Sequence, residues 1–182
     1  MIILMGSPGS GKSTQGQLLT DRKKLRWISM SDILRRNASQ KYLKKMQAGE
    51  LFSGQVVFKA LSNELTKLGD KPELILDGFP RSQDQVEWLL VQTTQGKITV
   101  SAVINIIVDK KTAEERLLKR GRVDDELSKI DKRLKIYKQT YAPIFQALKA
   151  HRIHILEING NQNPQKIHRD ILQALDNLGI EA

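Results

Sequence analysis

Apolar residues along the chain gather into short runs, and the stretches between the runs carry apolar positions at helical spacing. The clearest runs are Met1 to Met5, Leu74 to Leu76, Ala102 to Val108 and Ile153 to Ile158, with Trp27 to Ser29 as a weaker fifth. Most lack the alternation of apolar and polar positions that marks a strand with one wet face, so they predict strands covered on both faces. Val57, Leu61, Leu65 and Leu68 follow Gly54, and Ile167, Ile171, Leu175 and Leu178 follow Pro164, each set forming one apolar helix face. Strands alternating with helices predict an α/β fold with a parallel sheet between helical layers, and ligands of such sheets bind at the carboxyl ends of the strands. The segment from Ser31 to Phe58 is dense in helix formers and lies between two strand candidates. With no repeat, low-complexity tract or linker nearby, it reads as an insertion into one domain.

Composition narrows the class. A chain of 182 residues has the length of one α/β domain and buries roughly 70% of its unfolded surface. Its 40% hydrophobic and 27% charged residues are ordinary for a globular protein and exclude a disordered or fibrous chain. The absence of cysteine excludes disulfide frameworks, thiolate metal sites and cysteine nucleophiles, and fits a cytoplasmic setting. Ile98 to Val108 is interrupted by Thr99, Ser101 and Asn105 and falls far short of the roughly 20 residues of a membrane span, so no membrane association is expected. Met1 to Met5 has no basic segment ahead of it and reads as a buried strand rather than a secretory signal. His151, His154 and His168 lack a convergent ligand set and read as surface or capping residues. Trp27 and Trp88 read as core, since no interleaved basic and aromatic residues surround them.

The net charge of +10 favours polyanionic partners, namely nucleotides, nucleic acid or acidic membranes. Much of the excess, as at Arg22 to Lys24, reads as solvated helix surface. The specific signal is Gly6 to Ser13, GSPGSGKS, which fits the phosphate-loop pattern G-x-x-x-x-G-K-[ST] directly after a strand and before a helical segment. Its glycines let successive N–H groups curl around a phosphate, Lys12 reaches the β and γ phosphates, and Ser13 offers a hydroxyl to Mg²⁺. Asp77, at the end of the strand candidate before GFPR, is placed to orient Mg²⁺ or its waters. Arg116, Arg120, Arg122 and Arg133 form a cluster suited to the charge that spreads over a transferring phosphoryl group.

GSPGSGKSTQG, ISMSDILRR, MQAGELFSGQVV, LILDGFPRSQDQ, RLLKRGRVDD and INGNQNP follow one another along nearly the whole chain. In order and separation they resemble the adenylate kinases, within the nucleoside monophosphate kinases. The resemblance implies a five-stranded parallel P-loop core, a monophosphate-binding insertion at 31–58 and a very short lid at 119–125. It implies reversible phosphoryl transfer from Mg·ATP to a nucleoside monophosphate, AMP first, by a monomeric enzyme. Gly9, Ser10, Gly11, Lys12, Ser13, Thr14, Arg116, Arg120 and Gly160 would bind ATP. Met30, Arg35, Phe52, Gly78, Arg81, Gln85, Arg122 and Arg133 would form the monophosphate side. Lys12, Arg81, Arg120, Arg122 and Arg133 would carry the transfer, Ser13 and Asp77 would hold Mg²⁺, and Asp124 or Asp125 would position the lid arginines.

This sequence departs from the family pattern mostly on the acceptor side. Met30 stands where Thr is usual, Ser31 where Gly is usual, Glu50 where Lys is common and Phe52 where Val is common; Ser13 replaces a frequent Gly. The departures predict an unusual or relaxed acceptor preference. The alternatives are a UMP/CMP-type or other small-molecule P-loop kinase, and a nucleic-acid-associated ATPase on the same fold, with nucleic acid the less favoured partner.

Overall fold

The computed structural model describes residues 1–23, 25–37, 53–68, 73–122 and 125–180. Phe52, Glu50 and Asp124 lie outside them. Five strands form one sheet: β1 (Ile2–Gly6), β2 (Arg26–Ser29), β3 (Leu74–Asp77), β4 (Ala102–Ile107) and β5 (Ile155–Asn159). Their order is β2-β3-β1-β4-β5, and every neighbouring pair is parallel. The helices are α1 (Lys12–Lys23), α2 (Met30–Asn37), α3 (Gly54–Lys67), α4 (Gln83–Thr94), α5 (Lys110–Arg120), α6 (Leu127–Ala150) and α7 (Pro164–Asp176).

Each strand run of the sequence becomes a strand, and β1 shows why the runs are continuously apolar. Its side chains alternate between two core layers, so neither face is wet. Ile3 and Met5 join Leu76 and Val103 under Leu61, Val86, Leu89 and Ile144 of α3, α4 and α6. Ile2 and Leu4 join Ile75 and Ile104 under Leu19, Ile167 and Ile171 of α1 and α7. Ile3 stands opposite both Leu76 and Val103, which fixes β1 as the central strand.

That order places the crossover reversal beside β1. From β1 the chain passes to the β2 and β3 side, then returns to β4 on the other side, so the loops after β1 and β3 open a crevice at the carboxyl edge. Local signals hold the flanking helices. Asp109 caps α5 by accepting from the Thr112 N–H at 2.7 Å, and Gly121 ends it in the left-handed conformation. Asn163 caps α7 by accepting from the Lys166 N–H at 2.9 Å, with Pro164 as the first helical residue.

Trp88 stacks on Phe58 with ring centroids 5.1 Å apart and meets Phe79 edge-on, and Trp27 packs against the second core layer, as core tryptophans should. His151 follows the end of α6, its Nδ1 3.0 Å from the Ala147 carbonyl oxygen, and His154 is exposed. Among the described residues no helix is long and apolar enough to cross a membrane.

Candidate active site

The loop after β1 is held open by glycine where nothing larger fits. Gly9 has φ 79°, and a Cβ there would lie 2.6 Å from the Ala113 carbonyl oxygen of α5. The loop therefore packs its back against α5. Within it the Lys12 ammonium donates to the Gly6 and Ser7 carbonyls at 2.7 and 2.9 Å and to the Ser10 hydroxyl at 3.3 Å. Burial lowers the Lys12 pKa to about 8; Asp77 opposes the shift, and Arg81, Arg133 and Arg120 add to it. Lys12 shares its cavity with Asp77, Arg81, Arg120 and Arg133. Ser13 Oγ donates to Asp77 Oδ2 at 3.2 Å, joining α1 to the end of β3 through a hydroxyl and a buried carboxylate.

The turn after β3 presents Arg81. Its backbone N–H donates to Gln85 Oε1 at 2.7 Å, and its Nε donates to the Gly78 carbonyl at 2.7 Å. Gly78 has φ 82°, and a Cβ there would lie 2.5 Å from an Arg81 terminal nitrogen, so the guanidinium lies folded over the turn. That nitrogen, Nη2, donates to Ser31 Oγ at 3.4 Å. Met30, beside Ser31 at the start of α2, lines the cavity while belonging to the core layer, at 2% exposure. Arg35, one turn further, pairs with Asp32.

On the opposite wall, Asp125 gathers the arginines. It accepts from Arg120 Nε and Nη2 at 2.8 and 2.7 Å, from the Arg122 backbone N–H at 3.1 Å and from Arg133 Nη1 at 3.2 Å. Arg116 donates to the Gln162 carbonyl at 3.1 Å, tying α5 to the loop before α7. Gly160, in that loop, is buried and donates its N–H to Ile107 at 2.7 Å.

One cavity of about 800 Å³ brings most of the expected residues together. Gly9, Gly11, Lys12, Ser13, Thr14, Asp77 and Arg116 line it, as do Met30, Arg35, Gly78, Arg81, Gln85, Arg120, Arg122 and Arg133. Ser10 and Gly160 are buried behind it. Sequence reasoning missed a stripe of α6, where Ile136, Tyr137, Thr140 and Tyr141 continue the wall from Arg133. Tyr137 donates to Asn105 Oδ1 at 3.3 Å, and burial raises both phenols above their ordinary pKa. It also missed Gln15, which lines the cavity and donates to the Pro164 carbonyl at 2.9 Å. The helical spacing of the α6 residues relative to Arg133 was the available signal.

Ser13 and Asp77 suit a small hard cation. Both present oxygen, and among the described residues no group of three or more His, Cys, Asp or Glu forms a dedicated metal cage. Mg²⁺ is commonly held this way, by one or two protein oxygens together with substrate phosphates.

The adenylate kinase family model matches residues 4–153. An adenylate kinase of Corynebacterium urealyticum is 34% identical over 181 residues, covering 96% of this chain and 98% of the relative. Adenylate kinase 1 of a Nostoc species is 34% identical over 183 residues, covering 96% and 97%. An adenylate kinase of Leuconostoc mesenteroides is 32% identical over 184 residues, covering 97% of each. Nearly end-to-end similarity, on a parallel sheet whose phosphate loop opens into an arginine-walled cavity, means that the chain belongs to the adenylate kinase family.

Proposed function

We propose that the protein transfers the γ-phosphoryl group of ATP reversibly to AMP, giving two molecules of ADP. The observation that carries this reading is the single cavity shared by Lys12 of the phosphate loop and Arg81 of the β3 turn. Two phosphate-binding cations facing one space suit a donor and an acceptor bound together.

In this reading the loop N–H groups and Lys12 hold the ATP phosphates, with Arg116 and Arg120 on the same side. Arg35, Arg81 and Gln85 hold the acceptor, with Met30 and Gly78 beside it. Arg122 and Arg133 stabilise the charge that spreads over the transferring oxygens. Ser13 and Asp77 would hold Mg²⁺, which when bound neutralises charge on the phosphate oxygens. The acceptor phosphate oxygen attacks the γ phosphorus directly as the bond to the β,γ-bridging oxygen breaks, so no protein nucleophile is required. Residues 31–58 serve as the acceptor-binding insertion and 119–125 as a minimal lid. In this reading the enzyme is monomeric and cytoplasmic.

The test is ADP formation by the purified protein from ATP with AMP, UMP, CMP or GMP. AMP is expected to be the best acceptor. No transfer to any monophosphate, or a higher kcat/KM with another acceptor, overturns this assignment.

A further inference from the structure

We propose that Ser31 is a positioning residue for Arg81, holding its guanidinium for the acceptor phosphate without neutralising it. The inference rests on the transfer to AMP proposed above. Ser31 is the second residue of α2 and lines the cavity. Its Oγ accepts from Arg81 Nη2 at 3.4 Å, a contact between residues 50 positions apart that joins α2 to the β3 turn.

The arginine is thereby held at two points, Nε on the Gly78 carbonyl and Nη2 on Ser31, and among the described residues Nη1 has no hydrogen-bond partner. An arginine side chain has several rotatable bonds, and fixing it before the acceptor arrives removes ordering entropy from binding. Gly78 makes the arrangement sterically feasible, because a Cβ there would lie 2.5 Å from the same nitrogen.

The chemical nature of the second point matters as much as its position. A carboxylate there would hold Arg81 but compete with phosphate for its charge. Asp32, next to Ser31 in sequence, pairs with Arg35, and Asp77 accepts from the Ser13 hydroxyl, so the hydrogen-bond acceptors of Arg81 are neutral: the Gly78 carbonyl and Ser31 hydroxyl oxygens. Arg81 is thus oriented while keeping its full positive charge for the incoming anion.

The experiment compares steady-state kinetics and calorimetric AMP binding for wild type, Ser31→Ala, Ser31→Thr, Arg81→Lys and Ser31→Ala/Arg81→Lys. Wild-type ADP formation from ATP and AMP tests the underlying activity separately. Ser31→Ala is expected to weaken AMP binding and lower kcat/KM for AMP by roughly 5- to 10-fold, the scale of one ordinary intramolecular hydrogen bond. KM for ATP should stay within about two-fold, because ATP phosphates meet the loop rather than Ser31. Ser31→Thr should retain near wild-type values, and in the Arg81→Lys background the alanine substitution should add less than about two-fold. An unchanged kcat/KM for AMP in Ser31→Ala overturns the proposal. So does an equal loss in both backgrounds, a matching loss in ATP affinity, or a threonine variant that behaves like alanine.

Discussion

Asp125 and Arg120 form a two-point ion pair across the connection between α5 and α6, with bonds of 2.8 and 2.7 Å. The Asp125 side chain is 1% exposed and the Arg120 side chain 34%, so the carboxylate is the interior partner and the guanidinium reaches the cavity rim. Since Asp125 also holds Arg133 and the Arg122 N–H, one carboxylate sets the spacing of three arginine positions.

Asp125→Asn is therefore expected to destabilise the fold by roughly 2 to 3 kcal/mol, below the full range for breaking a buried pair because Arg120 is partly solvated. Burial by itself raises the Asp125 pKa, but the bonds from Arg120, the Arg122 N–H and Arg133 outweigh it and hold the carboxyl below its ordinary value. A carboxylate with a depressed folded pKa contributes stability above the unfolded pKa of about 4 and loses it as pH falls through the folded value. Thermal melts across pH should show the gap between wild type and Asp125→Asn at pH 7 and its narrowing below about pH 4. An equal gap at all pH values would contradict the ion-pair account.

Lys12 gives the opposite sign. Its folded pKa of about 8 lies below the ordinary lysine value, so the buried ammonium destabilises the folded protein at neutral pH, and the penalty fades as pH rises from about 8 toward 10.5. Lys12→Met should lower transfer by roughly 10²-fold or more while raising the thermal midpoint at pH 7. In wild type, kcat/KM for ATP should fall as pH rises through about 8, because that parameter reports the free enzyme and the phosphates need the ammonium. A flat profile from pH 7 to 9.5 would contradict this role for Lys12.

Met30 is both cavity wall and core. Met30→Ala should cost about 2 to 4 kcal/mol, as for other buried large-to-small changes. Met30→Thr, which replaces the long unbranched thioether with a short β-branched side chain bearing a hydroxyl, should alter the ratio of AMP to pyrimidine monophosphate use. Measured acceptor ratios identical to wild type would show that Met30 acts only through packing.

Only Gly121 separates Arg120 from Arg122, leaving little chain to cover the donor. Exclusion of water protects a phosphoryl donor, so phosphate release from ATP without acceptor is expected to exceed that of a Lys12→Ala control. Lengthening the turn by several residues should suppress it. Release no higher than the control, or unaffected by the insertion, would contradict the expectation.

The sheet was legible because buried parallel strands announce themselves as continuous apolar runs. The weakest run became β2, an edge strand, where Arg26 is exposed and only Ile28 is buried. Strand ends were less legible: Ile153 belongs to the turn after α6, its N–H bonded to Leu148, and β5 begins at Ile155. The phosphate loop was legible because its function imposes a local pattern of glycines and one lysine. The Ser31 contact with Arg81 was not, because it depends on how α2 meets the β3 turn. Tyr137 and Tyr141 escaped for a related reason. Their spacing indicates a helix face, but only the packed sheet determines that this face closes a cavity.

The most direct test of the central claim is the configuration at phosphorus after transfer from ATP made chiral with oxygen isotopes at the γ position to AMP. Donor and acceptor held together between Lys12 and Arg81 require one in-line displacement, and the account predicts inversion. Retention would mean an even number of displacements through a phosphorylated protein group, and would contradict it.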